Sequence, residues 1–173
     1  MADPFETLGV TPRFGLGLAE LEERHRALSR ALHPDRYAGA PAAERRMALG
    51  RAIEVNEALR VLKDPVRRAE ALLSRAGVPT GEDREPKASP ALLMEMMEAR
   101  EALADAVRAK DAAQVEDLAK EMRAREAKLL GALGEVLDAP APQAPRALAL
   151  LGELRYTRRF LDEVSAFEEA LAG

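Results

Sequence analysis

The chain has 173 residues, no cysteine, two histidines and a formal net charge of −4, which excludes disulfides and thiolate metal ligands and leaves too few imidazoles for a metal site. Hydrophobic residues make up 47% and aromatics only 3%, so abundant Ala and Leu with few β-branched residues predict an all-α fold, and no alternating apolar-polar run argues for a strand. No stretch of about eighteen apolar residues spans a bilayer, and the Met1-Ala2-Asp3-Pro4 start has neither a basic nor an apolar leader, so a cytoplasmic protein is expected.

In chain order, the first amphipathic helix with a clear stripe carries Leu21, Leu28 and Leu32 on one side. Arg26 and Arg30 lie four apart and off that stripe, so they stack on one exposed face. His25, at the stripe's edge, either packs against the helix that follows or leans out toward a partner, and the packed use is the favoured one. The helix stops at Leu32 because Pro34 lacks a backbone donor, fixes its own φ and drives His33 out of the helical region. His33-Pro34-Asp35 therefore forms a stiff polar tip before a second helix that starts near Pro41.

A boundary follows at Gly77 to Ser89, where Gly77, Pro79, Gly81, Pro86 and Pro90 punctuate a polar stretch that ends in Ser89 as N-cap and Pro90 at the first helical position. The division reads as residues 1–76, a linker 77–89, and a second domain 90–173. Residues 1–76 carry a net charge of +2 and residues 77–173 a net of −6, so the halves suit different partners. A surplus of +2 diluted by Glu20, Glu22 and Glu23 is too weak for nucleic acid.

The second domain reads as three helices, about Pro90–Ala109, Asp111–Leu137 and Arg146–Leu171, with a Pro-interrupted link at 139–145, and three antiparallel helices close a bundle. Val115, Leu118, Met122, Leu129, Ala132 and Val136 supply one stripe, with Lys120, Arg123 and Glu126 outside it, and Leu148, Leu151, Leu154, Leu161, Val164 and Leu171 supply another. The first helix differs: Leu92-Leu93-Met94-Glu95-Met96-Met97-Glu98 is apolar around more of its circumference than one buried stripe requires. Leu93, Met94 and Met97, flanked by Glu98, Glu101 and Asp105, are either a Met-filled core or an exposed apolar patch with an acidic rim.

An enzyme is not expected. His33 and Asp35 have no Ser or Cys nucleophile, no Gly-rich phosphate cradle and no metal-ligand cluster beside them, and an exposed loop seldom supplies an orienting shell.

Residues 3–76 resemble a J-domain. Phe5-Glu6-Thr7-Leu8-Gly9-Val10 is similar to the family's opening motif, Leu21 to Leu32 to its second helix, Ile53 to Leu59 with Leu62 to its third, and Asp64-Pro65 with Arg67-Arg68-Ala69 to the start of its fourth. Leu93 to Glu101 resembles the scaffold-binding motif of the HscB family of J-type co-chaperones, and Pro12-Arg13-Phe14 its longer approach to the second helix. The resemblance implies a J-domain helical hairpin followed by a three-helix bundle, with no cofactor. It implies that His33, Pro34 and Asp35 with Arg26, Arg30 and Arg36 engage a DnaK-type chaperone, HscA-like, and stimulate its ATPase. It further implies that Leu93, Met94, Met97, Glu98, Glu101, Asp105 and Tyr156 bind the iron-sulfur scaffold IscU, with no nucleic acid or membrane partner. Gly17 stands where the family commonly has a capping Asp, Asp105 where Glu is common, and Tyr156 where Phe is common. The alternatives are a J-protein with another client, and a helical adaptor that activates no ATPase.

Overall fold

The computed structural model describes residues 2–172, with side chains through Glu169. Seven α-helices form two compact units, residues 1–78 and 79–173, and no strand occurs among the described residues.

The first unit holds α1 (Pro4–Leu8), α2 (Leu18–Ala31), a 3₁₀ turn (Pro34–Tyr37), α3 (Ala42–Lys63) and α4 (Pro65–Arg75). Asp3 caps α1 by accepting from Phe5 and Glu6 N–H, and Gly9 ends it at φ 66°, the left-handed conformation that costs glycine least. Asp64 caps α4 by accepting from Arg67 N–H, with Pro65 in the first turn. The α2–α3 hairpin closes over a core of Phe5, Leu8, Leu21, Val55, Ala58 and Leu62, with Leu28 and Leu32 packed against it. His25 joins the two long helices, its Nε2 donating to Asn56 Oδ1 at 2.8 Å. Arg68 ties down the approach to α2 by donating to the carbonyls of Leu62 (2.6 Å), Phe14 (2.7 Å) and Leu16 (3.1 Å), and its guanidinium stacks over the Phe14 ring.

The second unit is a bundle of α5 (Pro90–Ala109), α6 (Ala112–Leu137) and α7 (Ala144–Ala172). Ser89 Oγ accepts from Leu92 N–H (3.1 Å) to start α5, and Asp111 accepts from Gln114 N–H (3.0 Å) to start α6. The α6–α7 pairing is the most extensive, and α5 lies along part of it, over Leu103, Ala106, Val115, Met122, Phe160 and Val164. Thr157 is wholly buried and satisfied, its hydroxyl donating to the Glu153 carbonyl one turn earlier.

The structure corrects several sequence expectations. The last helix starts at Ala144, not Arg146, because Pro145 falls in the first turn, where its missing N–H has no intrahelical partner to lose. Leu118, Leu148 and Leu161 are only half-buried, while Leu133, Ala147 and Phe160 lie deep, because a 3.6-residue period blurs which edge of a stripe faces in. Glu126 is half-buried and pairs with Arg158 at 3.3 Å, so it does not face open solvent. The side chain of Leu171 lies outside the described residues. Composition marks 77–89 as a linker, yet from Pro79 onward the chain clusters with the bundle.

Candidate functional site

Two surfaces stand out, one in each unit. In the first, His33 is the extended residue that ends α2 and caps the 3₁₀ turn, with Pro34 at the turn's first position. Asp35 N–H donates to His33 Nδ1 (3.3 Å) and Arg36 N–H to the His33 carbonyl (3.0 Å), which stiffens the tripeptide through its own backbone. An Nδ1 that accepts carries its hydrogen on Nε2, so the imidazole offers a donor by its other nitrogen. Asp35 offers an acceptor: its side chain is 91% exposed, and its Oδ2 lies 3.5 Å from His33 Nδ1, a contact that becomes an ion pair only when the ring is protonated. The tip thus presents a donor and an acceptor at fixed spacing, and little order remains to be imposed on docking.

Arg13 pairs with Glu20 (2.7 Å), Lys63 with Glu22 (3.3 Å), Arg60 with Glu57 (2.7 Å), and Arg75 with Asp3 and Glu6. The Arg60 hydrogen bond holds the Glu57 carboxyl below the usual carboxylate range. Arg26, Arg30 and Arg36 are exposed and have no carboxylate partner among the described residues. A cluster of unneutralised guanidiniums beside a stiff donor-acceptor tip is suited to an acidic protein surface. Leu49 and Ile53 of α3 are each 61% exposed, an apolar pair one helical turn apart; the sequence reading passed over Leu49 and set Ile53 in the core stretch of this helix, whereas Val55, Ala58 and Leu62 are the residues that face in.

In the second unit α5 separates its apolar residues cleanly. Leu92 and Met96 are core, at 8% and 3% exposure, whereas Leu93, Met94 and Met97 stand out at 41%, 65% and 61%. Helical spacing sets Glu98 and Glu101 on the same face, where they are exposed and without an ion pair among the described residues. Asp105, farther along, is engaged by Arg108. Tyr156 of α7 is half-buried against the bundle core, with Arg159 over its ring, and it borders the same cavity as Leu93. The structure therefore brings Tyr156 to the Leu93 end of the patch, a pairing across 63 residues that spacing cannot reveal.

The segment before α5 adds residues that sequence reasoning missed. Glu85 is nearly buried and accepts from Arg155 Nε at 2.8 Å, and Glu82 accepts from Arg159 Nη2 at 2.7 Å. The Arg159 hydrogen bond lowers the Glu82 carboxyl below its ordinary range. The available signal was the run of Glu82, Glu85, Arg155 and Arg159, whose pairing becomes visible only once α7 is placed. No cluster of metal-ligating side chains occurs among the described residues, and no helix is long and apolar enough to cross a membrane.

Comparison with known proteins assigns both units. Residues 3–71 match the DnaJ domain model, and residues 88–165 match the model described as the HSCB C-terminal oligomerisation domain. The chain is 37% identical over 167 residues to the co-chaperone protein HscB homolog of Burkholderia multivorans, covering 96% of this chain and 94% of the relative. The chain belongs to the HscB family of J-domain co-chaperones. The corresponding protein of Paraburkholderia xenovorans is 34% identical over the same share. Among solved structures, chaperone HscB from Vibrio cholerae superposes with a TM-score of 0.83 at 32% identity, covering 98% of this chain and 99% of that one. Human co-chaperone protein HscB, at 22% identity and a TM-score of 0.84 over 97% of this chain and 83% of that one, shares the fold.

Proposed function

We propose that this chain stimulates the ATPase of a DnaK-type chaperone of the HscA kind and delivers to it the iron-sulfur scaffold IscU, acting in the cytoplasm during cluster assembly and transfer. The observation that carries the reading is the exposed His33-Pro34-Asp35 turn flanked by Arg26, Arg30 and Arg36, which have no carboxylate partner among the described residues. The arginines attract an acidic chaperone face and raise the encounter rate; the tip then docks its donor and acceptor with little further ordering. The chain itself forms and breaks no bond. Its part is to favour the chaperone state that hydrolyses ATP, while Leu93, Met94 and Met97 hold the client by burying apolar area and Glu98 and Glu101 select a basic rim around it.

Single-turnover ATP hydrolysis by the chaperone tests this reading. His33→Gln and Asp35→Asn should each bring stimulation down to the unstimulated rate while leaving the helical circular dichroism intact, because both side chains are exposed and surface changes alter stability little. Full stimulation by either variant removes the co-chaperone mechanism from this tip. The matched C-terminal family is described by oligomerisation, and that favours a second reading, contact of this domain with another copy of the chain, for which the exposed α5 face is the candidate surface. Sedimentation equilibrium with and without the scaffold separates the two uses: self-association that the scaffold displaces means they share Met94 and Met97.

A further inference from the structure

Within the second unit, a cavity of about 380 Å³ lies between the segment 82–88 and α7, bordered by Gly152, Arg155, Tyr156 and Arg159 of α7 and by Leu93 at the edge of α5. Its size falls at the small end of natural ligand pockets, room for side chains and not for a folded element. The segment is strapped in place at two points, Glu85 to Arg155 and Glu82 to Arg159. It also passes close over α7, with Glu85 Oε2 3.5 Å from where a side chain on Gly152 would begin. These pairs consume the charges of the wall. What remains for a visitor is the Tyr156 ring and the Leu93 side chain, with Lys87 exposed at the rim and without an ion pair among the described residues.

We infer that this cavity is a built pocket for one bulky apolar side chain of the client, next to an acidic client residue that meets Lys87, and that the strap is its wall. The inference rests on the reading of α5 as the client surface, because Leu93 belongs to both the patch and the pocket and makes the two continuous. An apolar anchor entering a pocket with a preformed wall loses less freedom than one lying on an open helix face, so the strap raises affinity without touching the patch itself. The neutralised wall also discriminates. A charged client side chain inserted there would have to compete with two ion pairs already made.

The test uses the full-length chain and purified IscU-type scaffold in titration calorimetry, with hydrogen exchange at residues 82–88 reporting the strap. Glu82→Arg and Arg159→Glu should each accelerate exchange across 82–88 and weaken scaffold binding about ten-fold, and the double reversal, which restores the pair with its sign inverted, should recover both. Lys87→Glu, on an exposed side chain that the bundle does not depend on, should weaken binding about as much while leaving exchange unchanged. Chaperone stimulation measured without scaffold should match the parent in every case. Single variants that free the strap yet bind like the parent overturn the inference, as does unaltered exchange in both. A parent chain that fails to bind the scaffold at all points to the underlying client assignment instead.

Discussion

The tripeptide tip of the first unit and the α5 face of the second are both exposed, yet they are built on opposite principles. The working groups of the tip are polar: one donor and one acceptor on a 3₁₀ turn whose backbone bonds to itself, with Arg36 on that turn and Arg26 and Arg30 on α2, all three without a carboxylate partner among the described residues. The α5 face is three flexible apolar side chains with two glutamates that have no ion pair among the described residues, held by a bundle that buries Leu92 and Met96, one turn apart, beneath it. Each face also carries charges of one sign without an ion pair among the described residues, Arg26, Arg30 and Arg36 on the first and Glu98 and Glu101 on the second. The lesson is that one chain can keep two partners apart by giving one a surface governed by electrostatics and the other a surface governed by apolar burial.

That contrast has measurable consequences. The largest effect is expected on α5: Leu93→Ala with Met94→Ala and Met97→Ala should cost scaffold binding several kcal/mol, since apolar anchors at the centre of a patch commonly contribute ~1 to 2 kcal/mol each. Alanine keeps helix propensity high, so circular dichroism should be unchanged. Unaltered affinity in the folded triple variant would move the client site off α5 altogether. On the tip, Arg26→Glu with Arg30→Glu should weaken chaperone binding about ten-fold at low salt, with the difference from the parent shrinking as salt rises, because exposed charges act through screened attraction. The α5 variant should show no such salt dependence. If the two losses respond to salt alike, the electrostatic-versus-apolar distinction fails.

Smaller effects sharpen the picture. The Glu82 carboxyl, lowered by its bond from Arg159, should titrate below the ordinary glutamate range, and Arg159→Ala should raise it toward that range. Since the folded value is the depressed one, the stabilisation of the strap is complete above the ordinary value and is lost as pH falls through the lowered one. Carbon-13 titration of that carboxyl checks both the sign and the partner. The smallest effect concerns Gly17, which caps α2 with no side-chain acceptor and has open space where a Cβ would stand. Gly17→Asp should stabilise the first unit by about 0.5 kcal/mol, adding a cap and an anion at the helix N-terminus, with chaperone stimulation unchanged. Thermal unfolding reads it directly.

Much of this was legible before any coordinates, and for local reasons. Asp64-Pro65 and Ser89-Pro90 announce helix starts, and the structure caps α4 and α5 with those side chains, because an N-cap is decided within four residues of chain. Pro34 ends α2 by its own geometry, which is why the tip could be placed from its tripeptide. The excess of apolar residues in 92–98 announced that they do not all fit one buried stripe. Which of them face outward was decided elsewhere, by how α5 lies against the α6–α7 pair, and that rotation buries Leu92 and Met96 while leaving Leu93, Met94 and Met97 in solvent. The same holds for 79–89. Its Pro and Gly content reads as a linker, since composition reports what a segment does alone, whereas Glu82 and Glu85 find Arg159 and Arg155 only through an antiparallel bundle that returns α7 past them. The sequence by itself determined most of the long helices, the starts at Asp64 and Ser89 and the polar tip, all short-range outcomes of backbone chemistry; the tertiary structure alone decided the faces and the strap, because pairings 70 or more residues apart exist only after the helices have packed.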